Sequence, residues 1–152
     1  MRKMLCLAGM VMMAVPAHAQ DAPALPIHAE LFSWGQKIEV WDIAPDGKVQ
    51  VWQDRAAPGK PSAPVTATGW LNASGVAEVA MRSYILRARA GTPVDCGPPI
   101  HDVPAGSLRW GEGADAPRLS FGFGCTSDAA KALNSDISAL FGIVHKTAPL
   151  AP

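Results

Sequence analysis

The sequence predicts an α+β fold: an antiparallel sheet of four to five strands, built from two hairpins, with two amphipathic helices packed on it and one disulfide. Three observations carry that reading. Two strand-forming runs, 37–43 and 48–53, flank the hairpin turn Ala44-Pro45-Asp46-Gly47 and carry large apolar groups on both faces. An apolar stripe at helical spacing runs from Leu133 to Val144. Two cysteines, Cys96 and Cys125, remain once an N-terminal leader is set aside.

The leader occupies residues 1–19. Arg2 and Lys3 give it a positive start, an apolar run follows from Met4 to Val15, and Pro16 breaks that run. Ala17-His18-Ala19 then places small residues at the −3 and −1 positions of a cut before Gln20. This is the pattern of a secretory signal peptide. The apolar run is too short to cross a bilayer and no stop-transfer segment follows, so no membrane span is expected. The chain is therefore expected to be exported, with 20–152 as a single α+β domain with frayed ends. Cys6 leaves with the leader. In an oxidising compartment Cys96 and Cys125 have one intramolecular pairing, a disulfide. Their spacing is unlike Cys-x-x-Cys, which argues against thiol exchange.

Charge excludes further classes. Cleavage removes Arg2 and Lys3 and no acid, leaving eleven basic against thirteen acidic groups, a net charge near −2. Such a domain lacks the electrostatic footprint of a nucleic-acid binder and has no polybasic segment for anionic lipid.

The elements follow in order. Residues 21–26 read as a frayed lead-in and 27–34 as a first strand. In the turn after the second strand, Pro45 presets φ and Gly47 supplies the positive φ that closes the hairpin. That register sets Trp41 opposite Val51 and Ile43 opposite Val49 on one face, with Val40 opposite Trp52 on the other. Residues 55–68, with Pro58, Gly59, Pro61 and Pro64, read as a long loop. A helix starts near Asn72 or Ser74 and stops at Gly91. Val76, Val79, Ala80, Ser83 and Leu86 form its apolar face, widened by Met81, Tyr84 and Ile85. Residues 92–106 are irregular, and 107–110 and 118–123 form a second hairpin. Gly122 and Gly124 suggest a bulge or a close approach of another backbone there, with a tryptophan ring over the sheet. Thr126 or Ser127 caps the last helix, whose stripe is Leu133, Ile137, Leu140, Phe141 and Val144. This layout is similar to that of small periplasmic proteins of Gram-negative bacteria, which implies the periplasm, with release from the cell as the alternative.

Candidate chemistry is sparse. His101-Asp102 pairs a loop imidazole with a carboxylate, the makings of a general base or a metal ligand. No further ligands stand at metal-binding spacing, so no metal is expected, and no cofactor motif is present. Glu39 and Asp42 point to opposite faces of one strand and cannot act as a glycosidase pair. No nucleophile elbow or phosphate loop occurs. The tryptophans are the stronger surface signal. Trp34, Trp41, Trp52 and Trp110 all fall in or beside predicted strands, where an exposed set could stack on a sugar or accept a partner protein. The competing reading makes them the core of an alanine-rich domain.

Together these features point to a small exported, non-enzymatic binding or accessory protein. Its partner is an unknown protein or small molecule, taken up through Trp34, Trp41, Trp52, Trp110, His101 and Asp102. A hydrolase or metal-dependent enzyme centred on His101 and Asp102, assisted by Asp95, Glu112 or Arg109, is the alternative from another class. A structural envelope component, needing neither pocket nor patch, is the third.

Overall fold

A computed structural model describes residues 25–56 and 60–151. The predicted signal peptide, its cut before Gln20 and Cys6 lie outside the described residues. Six strands and two helices follow in the order β1 (Ile27–Ser33), β2 (Gln36–Ile43), β3 (Lys48–Asp54), β4 (Pro64–Trp70), α1 (Ala73–Arg87), β5 (Ala105–Trp110), β6 (Arg118–Gly122) and α2 (Asp128–Thr147). The strands make one antiparallel sheet ordered β4-β3-β2-β1-β5-β6. The α+β class, the two helices and the Cys96–Cys125 disulfide agree with the sequence; the strand count is six rather than four to five.

The hairpin between β2 and β3 forms as its turn chemistry dictates. Ala44 and Lys48 close it, Gly47 takes a φ of 83°, and its N–H donates to the Ala44 carbonyl. The register is the expected one: Trp41 faces Val51, Ile43 faces Val49 and Val40 faces Trp52.

The extra strand comes from the segment read as a loop. Pro64–Trp70 pairs along the whole of β3 as an edge strand. Pro64 is tolerated because it stands at the first position of an edge, where a missing N–H costs nothing. Three prolines outweighed the alternation of Val65, Thr66, Ala67, Thr68, Gly69 and Trp70, a run suited to a pleated, half-buried surface. Asp54 then holds the loop: its carboxylate accepts from the N–H groups of Ala56 and Ala63 and from the Ser62 hydroxyl, and these bonds hold its pKa below the usual value.

One face of the sheet carries the core. Ile27, Ala29, Trp41, Ile43, Val49, Val51, Leu108, Trp110, Leu119 and Phe121 point to the helices and are buried. Helix α2 behaves as predicted. Ser127 caps it, its hydroxyl accepting from the Ala130 N–H, and Leu133, Ile137, Leu140, Phe141 and Val144 are all buried. Helix α1 is capped by Asn72 and buries only Val79, Ser83 and Leu86 fully. Met81, Tyr84 and Ile85 do not widen its buried face, because they sit on the solvent side of the helix and are exposed. The Trp110 indole N–H donates to the Ser83 hydroxyl, which accounts for a serine in that core row.

The lead-in is anchored at its end, with Leu25 buried and the Pro26 carbonyl accepting from Gly111 N–H. The close approach of another backbone expected here is found at Gly124, where a Cβ would lie 2.2 Å from the Ile100 carbonyl oxygen; the neighbour is not a tryptophan ring.

Candidate functional site

The helices cover one face of the sheet and leave the other to solvent. Cross-strand pairing fixes the side chains that meet on the open face. From β4 to β6, one row reads Thr68, Gln50, Asp42, His28, Arg109, Arg118. The neighbouring row reads Thr66, Trp52, Val40, Glu30, Ser107, Ser120. Apolar, acidic and basic groups are thus sorted across the face, with Trp52 and Val40 on β3 and β2, carboxylates in the middle and two arginines at the β5–β6 end.

The middle is an ion network. The His28 ring stands 2.7 Å from Asp42 Oδ1 through Nδ1 and 3.6 Å from Glu30 Oε1 through Nε2. The Lys37 ammonium donates to the same Glu30 oxygen. That hydrogen bond, with the charges of Lys37 and His28, holds the Glu30 carboxyl below its usual pKa against the opposing effect of burial. These groups satisfy one another.

At the β3–β4 end the face dips. A depression of about 300 Å³ surrounds Trp52 and is bounded by Val40, Asp42, Gln50, Thr66 and Thr68. Trp52 and Val40 are half-buried, while Asp42, Gln50, Thr66 and Thr68 are exposed. An indole with an aliphatic neighbour, ringed by hydroxyl, amide and carboxylate groups, offers a stacking platform with hydrogen-bonding partners at its rim. Trp70 lies on the same face and is 61% exposed, but it pairs with Lys48 at the far end of β4 and so stands apart from Trp52.

The predicted tryptophan set therefore divides. Trp41 and Trp110 point into the core, at 1% and 2% exposure. Trp34 occupies the β1–β2 turn with a φ of 54° and is exposed, away from the sheet face. Trp52 alone of the four lies on the open face. His101 and Asp102 sit in the exposed segment before β5, Asp102 with a φ of 66°. Their side chains have no hydrogen-bond or ion-pair partner among the described residues; Asp95 instead accepts from the Gly97 N–H. Among the described residues no three His, Cys, Asp or Glu side chains gather as a metal site. Among the described residues no helix is long and apolar enough to cross a membrane.

The residues that sequence reasoning missed here are Thr66, Thr68 and His28. The threonines were hidden in the supposed loop. His28 carries no spacing signal, because its partners arrive from β2 through strand pairing. No protein-family model matches the chain, and no curated protein matches it in sequence.

Proposed function

We propose that this chain is an exported, non-enzymatic binding protein that holds its ligand against the open sheet face at Trp52. The carrying observation is that indole: a large aromatic group left half-exposed on a rigid strand, beside Val40, within a rim of Asp42, Gln50, Thr66 and Thr68. The apolar area is small and the rim rich in hydrogen-bonding groups, which suits a saccharide ring stacked on the indole better than the broad apolar centre of a protein interface. Export rests on the leader pattern at 1–19 and on a disulfide that persists only where thiols are oxidised. The periplasm is the proposed compartment. Hydrolysis or metal chemistry at His101–Asp102 finds less support, since neither side chain has a third group to orient or activate it.

The test is an NMR titration of the isotope-labelled mature chain. The native envelope extract is split into saccharide and protein fractions, and the indole N–H resonances are followed. The saccharide fraction is expected to move the Trp52 resonance and leave Trp41 and Trp110 in place. An unmoved Trp52 with every fraction sinks the proposal, and movement with the protein fraction alone reassigns the ligand class.

A further inference from the structure

A second cavity, of about 420 Å³, opens at the other edge of the sheet. Residues 91–94 form one side, β6 the other, and the first turns of α2 the floor. The main chain of β6 is the informative part. Trp110 N–H donates to the Pro117 carbonyl and Phe123 N–H to the Pro104 carbonyl, so the odd residues of β6 turn their main-chain groups toward β5. Arg118, Ser120 and Gly122 therefore turn theirs outward. At the two ends the carbonyls are occupied: Arg118 O accepts from Gly91 N–H, and Gly122 O accepts from Asn134 Nδ2 at 2.9 Å and from Cys125 N–H. Between them, the N–H and C=O of Ser120 have no partner among the described residues.

An outward N–H and C=O on one residue of an edge strand is the unit that an added strand uses. Here it opens into a cleft, with its approaches capped at both ends. The room is for a short extended segment and not for a long strand. Buried Phe121 and Leu133 and half-buried Val94 offer an apolar wall for one side chain of such a segment.

Charge fixes which end of a peptide would enter. A segment antiparallel to β6 runs from the Gly122 end toward Arg118 and brings its C-terminus to that arginine. Arg118 is exposed and stands directly opposite Arg109 on β5. Neither guanidinium has an ion-pair partner among the described residues, and the buried Nε of Arg109 has no hydrogen-bond partner. Like charges opposed across a strand pair cost stability, as does a buried donor left unpaired. A carboxylate placed at this end offsets the repulsion and gains charge-assisted hydrogen bonds. We infer that the cleft between β6 and residues 91–94 binds the C-terminal end of an extended peptide, its backbone on Ser120 and its free carboxylate on Arg118. This site lies four strands from Trp52 in the sheet order and does not depend on the role given to that residue.

The probe is the tripeptide acetyl-Ala-Ala-Leu, as free acid and as C-terminal amide, titrated into the isotope-labelled mature chain. The acid is expected to shift the amide resonances of Ser120, Gly122, Thr92 and Val94, and the amide form to bind roughly tenfold more weakly. Arg118→Ala, an exposed position that the fold does not need, is expected to erase the difference between acid and amide. Equal binding of the two forms by the unsubstituted chain overturns the proposal. So does the absence of shifts on β6 at millimolar peptide, or shifts confined to the Trp52 face.

Discussion

Glu39 Oε1 and His145 Nε2 meet at 2.8 Å, although 106 residues separate them in the chain. Glu39 is 4% exposed on the helix-covered side of β2, where its neighbours in the row are Trp41 and Ile43. A lone carboxylate there would be costly. The last turn of α2 brings in His145, and Gln53 on β3 donates through Nε2 at 3.1 Å. The pair thus locks the C-terminal turn of α2 to the middle of the sheet.

The Glu39 hydrogen bond raises the pKa of His145 above its ordinary value of 6.5, against the opposing effect of burial. A pKa raised on folding stabilises the native state fully below the unfolded value. That stabilisation is lost as pH rises through the folded value. Thermal stability is therefore expected to fall as pH rises from the ordinary histidine value of 6.5 through the higher folded-state value, above the range where carboxylates titrate. In His145→Gln that slope is expected to vanish, with a lower Tm at acid pH. An unchanged slope in the variant, measured by calorimetry across this range, would assign the effect elsewhere.

Trp41 and Trp52 are neighbours on adjacent strands with opposite duties. Trp41 is buried edge-on against Phe141, the ring centroids 5.2 Å apart. Trp41→Ala is expected to cost about 3–5 kcal/mol, as for a large buried aromatic group. Trp52→Ala removes a half-exposed ring from the open face and is expected to cost about 1 kcal/mol or less. Urea denaturation of the two variants measures both, and similar losses would place Trp52 among the structural residues.

Gly69 marks where β4 crosses the end of α2. A Cβ on this residue would lie 1.9 Å from the Thr147 carbonyl oxygen, a main-chain atom that cannot turn aside. Gly69→Ala is expected to destabilise by about 1–3 kcal/mol, or to detach β4 from β3. Hydrogen exchange at Val65 and Ala67, whose N–H groups face β3, separates the two outcomes.

The parts of this fold that could be read from sequence are those whose signal is local. Pro45 and Gly47 specify a turn by backbone chemistry, and five apolar residues of α2 specify a stripe by spacing. Long-range pairing has no such trace. Nothing local joins Glu39 to His145, or His28 to Asp42. Helix α1 misled for a different reason: apolar residues encircle it, so spacing could not tell Val79 and Leu86 from Met81 and Ile85. In the candidate site, Trp52 and Val40 were legible as a cross-strand pair on the face opposite Trp41, though not as a face left open to solvent. Thr66 and Thr68 were not, because the prolines of the preceding loop spoke louder than a weak alternation.

The disulfide is where local and long-range order meet. Cys96 and Cys125 join the segment before β5 to the turn that leads into α2, across 29 positions. Around the bridge, the N–H groups of Thr126 and Ser127 both donate to the Cys96 carbonyl, and the Ser127 hydroxyl that caps α2 also bonds the Asp95 carbonyl. A Cβ on Gly97 would come within 3.1 Å of the Ser127 nitrogen, so the segment is seated closely on the helix start. These contacts persist when the bridge is opened, whereas the constraint on the unfolded chain does not. Loss of a crosslink of this span costs about 3–4 kcal/mol in the chain-entropy account. Cys96→Ser with Cys125→Ser is therefore expected to fold with an intact α2 cap and a Tm many degrees lower. Circular dichroism with thermal melting checks this against the unsubstituted chain under reducing and oxidising conditions. A melting point that ignores reductant would mean that the contacts of residues 95–97 with α2 hold this corner without the bridge.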